Sequence, residues 1–251
     1  MPVYFASDVH LGSGDAATAR AVERRFLAWL DFAAQDAEAV FLLGDIFDFW
    51  FEYPHKAPAA GFEPTLDKLA ELSGRGIRVV FFTGNHDMWT GDYLPRECGV
   101  EIHTEPQTMT LAGQRIFMAH GDNMQIDDLP GLKFLNRLFR LRTLRWLVSK
   151  LIPYNRLLRF GHWWSSHSRK AHGAAETLDI STTGRLIDYA RSYAATHPDH
   201  PIDHFVFGHM HIARDYREKG LHTVHLGAWE TTPTYAVLDD SGTLTLERFD
   251  Q

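Results

Sequence analysis

Five short apolar runs in this 251-residue chain each stop at a cluster of polar, metal-capable residues, and this recurrence constrains the fold more than any other feature. Val3–Ala6 leads into Asp8-Val9-His10, and Ala39–Leu43 into Gly44-Asp45-Ile46-Phe47-Asp48. Arg78–Thr83 leads into Gly84-Asn85-His86-Asp87, Arg115–Ala119 into His120-Gly121-Asp122, and Asp203–Phe207 into Gly208-His209-Met210-His211. Short β-prone runs bounded by turn residues read as buried strands. The adjacent glycines let the backbone turn tightly. Ligands of open α/β sheets bind beyond the carboxyl ends of strands, so these strand ends are expected to face one site.

The intervening chain supplies helices. Ala16–Ala34 repeats apolar residues at helical spacing (Val22, Phe26, Trp29, Leu30, Ala33), Thr65–Leu72 is closed by Gly74 and Gly76, and Thr182–Ala195 reads as a third helix. Thr108–Leu111 pairs with Arg115–Ala119 as a hairpin around Ala112-Gly113. Further strands are expected near Thr223–Leu226, Tyr235–Leu238 and Thr243–Phe249. Strand–helix alternation early and hairpins late predict an α/β fold of two packed sheets with helices outside, in a single domain over residues 1–251.

One segment departs from this plan. Lys133–Lys170 contains ten Lys or Arg and no Asp or Glu, mixed with Phe134, Leu138, Phe139, Trp146 and Trp163. It reads as a helical insertion, a lid over about residues 128–172, broken at Pro153, whose apolar residues do not fall on one stripe. The alternative is a core-packing helical hairpin with a solvated basic face. The net charge of −7 argues against a nucleic-acid surface. The single cysteine, Cys98, permits no internal disulfide and suits a reducing compartment. The N-terminus lacks the pattern of a signal peptide and no apolar run is long enough to span a membrane, so a cytoplasmic protein, peripheral on the inner membrane at most, is expected.

Taken singly, each polar cluster is unremarkable, because a strand-end Asp is more often a turn residue or a helix cap. Five in order at strand ends fit a two-metal phosphoesterase. Two divalent cations about 3.5–4 Å apart clamp an in-line displacement at phosphorus and lower the pKa of bound water to roughly 7. Asp45 is the candidate bridging carboxylate. Imidazole and carboxylate ligands suit Mn, Fe or Zn, and Asn adds a neutral oxygen. His86 is the candidate acid that contacts phosphate and protonates the leaving oxygen, with Asp87 orienting it. Asp48 and Asp122 are expected to orient ligands. His225 is expected beside the site, and His103, His197, His200 and His222 on the surface or in loops.

The ordered set resembles the calcineurin-like metallophosphoesterase superfamily over most of the chain, from Asp8 to His211. That resemblance implies an αββα sandwich in which Asp8, His10, Asp45 and His211 hold one metal and Asp45, Asn85, His120 and His209 the other. A narrower similarity is to the UDP-2,3-diacylglucosamine diphosphatases of lipid A synthesis. It rests on Phe5-Ala6-Ser7-Asp8-Val9-His10-Leu11, on Leu42–Trp50, on Met118–Asn123 followed by Asp127-Asp128, on Ser168-Arg169-Lys170, and on Leu226-Gly227-Ala228-Trp229. It implies hydrolysis of a UDP-linked diacyl sugar to UMP and the acyl sugar 1-phosphate, usually with Mn. Substrate contacts are then expected from Asp128, Phe134, Leu138, Phe139, Trp146, Ser168, Arg169 and Lys170. His86 departs from this pattern, since many members carry Arg there. A general phosphodiesterase or phosphomonoesterase of the superfamily is the competing reading. A non-enzymatic interaction module on the same fold would be marked by missing ligands.

Overall fold

The computed structural model describes residues 1–53, 61–124, 130–154, 156–157, 159–161 and 181–250. In chain order its strands are β1 (Val3–Ala6), β2 (Ala39–Leu43), β3 (Arg78–Phe82), β4 (Glu101–His103), β5 (Gln107–Leu111), β6 (Gln114–Ala119), β7 (His204–Phe207), β8 (Arg214–Glu218), β9 (Leu221–His225), β10 (Thr234–Leu238) and β11 (Leu244–Arg248). Its helices are α1 (Ala16–Ala33), α2 (Glu63–Gly74), α3 (Tyr93–Cys98), α4 (Pro130–Phe139), α5 (Arg142–Leu151) and α6 (Ser181–Thr196).

The strands form two sheets, ordered β11-β10-β1-β2-β3-β4 and β5-β6-β7-β9-β8. Strands β1 to β4 run parallel, as do β6, β7 and β9, so the ligand-bearing loops leave at the carboxyl end of each parallel block. Side-chain alternation assigns the layers. Val3, Phe5, Phe41, Leu43, Val80 and Phe82 point into the space between the sheets and meet Ile116, Met118, Val206, Val224 and Leu226. The alternate residues Tyr4, Ala6, Val40, Leu42, Val79 and Phe81 face outward onto Phe26, Trp29 and Leu30 of α1 and Leu66, Leu69 and Leu72 of α2. On the other side Phe117, Ala119, Phe205 and Phe207 pack on Leu186, Ile187 and Ala190 of α6. The result is the expected sandwich of two sheets between helices. Helix α1 starts where Asp15 accepts hydrogen bonds from the Ala17 and Thr18 amides at 3.0 and 2.8 Å, a cap worth about 1 kcal/mol.

Three elements lie outside the sequence expectations: α3, β4 and β8. The described residues of the insertion include the helices α4 and α5, and the first break comes earlier than Pro153. Leu141 is extended (φ −69°, ψ 122°) and separates α4 from α5. The missing stripe is thereby explained. Within α5 alone, Leu144, Leu147, Val148 and Leu151 follow i, i+3, i+4, i+7 spacing. A small cluster of Phe51, Tyr53 and Leu157, with Trp89, Val148 and Tyr154 against it, fastens the insertion to the body.

Candidate metal centre

Three of the five ligand-bearing loops, those after β1, β2 and β7, hold their ligand side chains in an unusual backbone conformation. Asp8, His10, Asp45, His209 and His211 all have positive φ, between 50° and 69°, and Ala112 is the one other non-glycine among the described residues to do so. Left-handed backbone costs a non-glycine residue about 1–2 kcal/mol, and such strain collects where geometry serves function. Gly84 and Gly208 are there for space. A Cβ on Gly84 would collide with the Asp45 carboxylate and come within 2.7 Å of the Asp45 amide, and one on Gly208 would come within 2.7 Å of Asp8 Oδ2.

The side chains converge in two groups that share Asp45. Ligand atoms of Asp8, His10, Asp45 and His211 lie within 4.8 Å of one another, as do those of Asp45, His120 and His209. In the first group His10 Nε2 is 3.1 Å from His211 Nε2, and Asp8 Oδ1 is 3.4 Å from His211 Nε2. In the second, His120 Nε2 lies 3.3 Å from Asp45 Oδ2 and 3.2 Å from Asn85 Oδ1. Donors about 2.1 Å from a shared ion sit about 3–3.5 Å apart, so both groups fit divalent cations. All seven sequence-predicted ligands are thus brought together.

Backbone carbonyls set the imidazole tautomers. His120 Nδ1 faces the Leu43 carbonyl and His86 Nδ1 the Asp48 carbonyl, each at 2.8 Å. A carbonyl only accepts, so each Nδ1 carries the proton and each Nε2 turns toward Asp45. His10 Nδ1 lies 3.6 Å from Asp48 Oδ1, beyond hydrogen-bond length, so no such bond fixes that ring. Asp45 divides its carboxylate. Oδ1 accepts the His86 amide at 2.8 Å, and Oδ2 faces the Nε2 atoms of His10, His86 and His120 at 3.9, 3.9 and 3.3 Å.

Burial and charge act against each other here. Burial opposes the charge on Asp45, yet the surrounding imidazoles hold it well below the usual carboxylate range. Burial likewise opposes a proton on His120, yet the Asp45 charge and hydrogen bond push it up to about 10. Burial drives His10 down to about 3.

Several expectations need correction. Asp87 does not orient His86. Its carboxylate accepts the Gly84 and Ile46 amides at 2.6 and 2.9 Å and so locks the β3 loop to the β2 loop. Burial and the Asp45 charge push its carboxyl up. Asp122 binds Arg140 of the insertion at 2.7 Å and touches no metal-site imidazole directly among the described contacts. His225 is fully buried with neither ring nitrogen hydrogen-bonded, 5.9 Å from the Phe207 ring. His222 is no surface residue: it is buried, with Nε2 3.0 Å from Asp215 and Nδ1 2.7 Å from His204.

The predicted substrate contacts divide. Asp128, Ser168, Arg169 and Lys170 lie outside the described residues. Phe139 and Trp146 line a cavity of about 990 Å³ whose walls also include Thr83 and Met88–Tyr93, on either side of Asn85 in the chain. Phe134 and Leu138 do not line it, and Phe134 is exposed. The walls are not purely apolar, because Glu52, Arg140 and Arg145 join Tyr53, Trp89 and Tyr93. Sequence reasoning missed Glu52, which is buried and accepts from Trp50 Nε1 at 3.0 Å and the Tyr93 amide at 3.1 Å. A lone acid among Trp50, Phe51 and Tyr53 was the available signal.

Two sheets whose carboxyl ends share a carboxylate-centred cluster of His, Asp and Asn define a metallophosphoesterase, and the profile of the calcineurin-like phosphoesterase family matches residues 1–213. The chain belongs to that family. Within it, the chain is similar to a UDP-2,3-diacylglucosamine hydrolase of Porphyromonas gingivalis, 36% identical over 98% of this chain and 96% of that protein. It is also similar to proteins of that name from Edwardsiella ictaluri, 27% identical over 98% and 92% of the two chains, and Haemophilus influenzae, 25% over 95% of each.

Proposed function

We propose that this protein hydrolyses the pyrophosphate bond of UDP-2,3-diacylglucosamine, releasing UMP and 2,3-diacylglucosamine 1-phosphate. The observation that carries the reading is the Asp45-centred cluster at the carboxyl ends of the two sheets, in a chain whose β3 loop, from Met88 to Tyr93, also lines a cavity walled by aromatic rings and arginines. The full-length similarity to hydrolases of that name supports the substrate.

Asp8, His10, Asp45 and His211 would hold one ion and Asp45, Asn85, His120 and His209 the other. Mn is the reading taken from the family resemblance, and the nitrogen–oxygen donor set also suits Fe or Zn. When bound, the ions supply Lewis acidity toward phosphoryl oxygen and a nucleophile at neutral pH. The chain does the rest. His86, with Nδ1 held by the Asp48 carbonyl, presents Nε2 to the substrate, where a protonated ring can donate to the leaving oxygen. Phe139, Trp146 and Trp89 offer apolar surface to acyl chains, and Arg145 offers charge to phosphates.

The insertion also fits a membrane surface. Phe134, Trp146, Leu147, Leu151 and Phe160 are exposed by 45–70%, and Lys150, Arg156 and Arg159 are exposed beside them. Apolar and basic side chains together favour an anionic bilayer surface. Among the described residues no helix is long and apolar enough to cross a membrane.

His86, in place of Arg, favours a second reading, a general phosphoesterase of the family. One assay separates the two. Mn-loaded protein is given UDP-2,3-diacylglucosamine and, separately, bis(4-nitrophenyl) phosphate. Preference for the lipid nucleotide supports the proposal, and turnover of the nitrophenyl diester alone replaces it with the second reading.

A further inference from the structure

The candidate ligands are divided between the sheets. Asp8, His10, Asp45 and Asn85 follow β1, β2 and β3 of one sheet, and His120, His209 and His211 follow β6 and β7 of the other. The contacts that define the centre therefore cross the sandwich: His10 to His211 at 3.1 Å and Asp45 to His120 at 3.3 Å. Whatever fixes the separation of the two sheets at this end also fixes the distances between ligands.

Arg140 stands at that place. It follows α4 directly, where a cation is favoured by the helix dipole. Its Nη2 donates to Asp122 Oδ2 at 2.7 Å, and its Nη1 donates to the Thr104 carbonyl at 3.2 Å. Asp122 is two residues past His120, at the end of β6 in the second sheet. Thr104 directly follows β4 in the first, and β4 is held beside the β3 end by the Thr83 amide on the His103 carbonyl at 3.0 Å. Asn136, one turn earlier in α4, adds a bond to the Asp122 carbonyl at 3.3 Å. The Arg140 and Asp122 side chains are 20% and 6% exposed, so solvent screens the pair little. The guanidinium is a rigid planar fork with five donors, suited to gripping two acceptors at a set separation, which a lysine ammonium is not.

We infer that Arg140 is a positioning residue, a strut from the insertion that bridges the carboxyl ends of the two sheets and sets the spacing of the two halves of the metal centre. The inference rests on the ligand set proposed above. It gives the insertion a second task beside substrate contact, one felt by substrates too small to touch it.

The test compares Arg140→Met, Arg140→Lys, Asp122→Asn and the control Arg137→Met, an exposed lid position. Mn binding is followed by calorimetry, the spin coupling of bound Mn by electron paramagnetic resonance, and turnover with bis(4-nitrophenyl) phosphate. Loss of a partner that orients ligands typically weakens metal affinity or activity by about 10- to 100-fold. Arg140→Met is expected to fall in that range for affinity and kcat, with KM for the small diester little changed and the Mn–Mn coupling altered. Asp122→Asn added to Arg140→Met should cost little more, and Arg137→Met should match wild type. Arg140→Lys, which keeps the charge but cannot span both acceptors, is expected between the two and keeps the test decisive if the Met variant does not fold. Wild-type Mn affinity and coupling in either Arg140 variant overturns the inference. A wild-type protein that takes up no Mn overturns the ligand set itself, and this inference with it.

Discussion

The Nε2 atoms of His10 and His211 lie 3.1 Å apart, although the residues are separated by 201 positions and belong to opposite sheets. Two imidazole lone pairs at that distance repel unless a proton or a cation lies between them. Divalent cations should therefore stabilise the folded chain. An ion at 100 times its Kd adds about 2.7 kcal/mol, and each kcal/mol raises Tm by about 2–4 °C in a protein of this size. Mn should raise Tm by several degrees and EDTA should reverse the rise. His211→Ala should lose most of it, and Asp45→Ala should bind at least one ion fewer and lose activity. Two ions retained in an active Asp45→Ala variant would remove Asp45 from the bridging role.

Metal uptake should release a proton. Without an ion, His120 holds its proton up to about pH 10 because Asp45 faces it, and a ligand imidazole must be neutral. Apparent Mn affinity is expected to climb as pH rises from 6 to 9. The sign for the metal-free chain is opposite. A histidine raised from 6.5 contributes stability that is complete below that value and lost as pH rises toward 10. Calorimetry in buffers of different ionisation enthalpy reads the proton directly, and buffer-independent heats at pH 7 would contradict it.

His86→Ala is expected to keep both ions and lower turnover by roughly 10²–10⁴, the range of a lost general acid. Loss of metal instead would make His86 a ligand, a role its placement with His10 and Asp48 permits geometrically. His86→Arg is the sharper probe. Arg contacts phosphate but cannot give up its proton at working pH, so full activity on the lipid nucleotide would mean that this position binds rather than protonates.

The cavity narrows the choice of lid residues to test. Phe139 and Trp146 line it, and Leu138 does not. Each buried methylene contributes about 0.8 kcal/mol, so an acyl chain lying there would gain several kcal/mol. The double change Phe139→Ser, Trp146→Ser should lower kcat/KM for the diacyl substrate at least tenfold and leave the nitrophenyl diester unaffected. Equal losses on both substrates, in protein shown to fold, would make the insertion a support for the fold alone.

Much of this architecture is legible in the sequence because its signals are local. Val40, Phe41 and Leu42 announce a strand buried on both faces, and Gly44-Asp45 announces its end. β8 was not legible, because its sequence, Arg-Asp-Tyr-Arg-Glu, is that of a polar edge strand and gains its identity only by pairing with β9. The short α3 and β4 carry too few residues to show a period. Leu141 breaks the insertion with neither Gly nor Pro to mark it. In the site, the side chains were legible by type, but the hydrogen-bond partners that hold His120, His86 and Asp87 were not. Those partners are main-chain atoms, the carbonyls of Leu43 and Asp48 and the amides of Gly84 and Ile46, and main-chain atoms carry no residue signature.

The left-handed backbone at Asp8, His10, Asp45, His209 and His211 has a consequence for how this protein responds to selection. At each of these positions glycine relieves the strain, and at each it deletes a donor atom. A library screened for heat resistance alone would drift toward glycine there, dismantling the centre while the sandwich grew sturdier. A library required to keep turning over phosphoester would hold these five side chains and gather its stabilising changes elsewhere, for instance along α1 and α2, which carry none of the proposed ligands.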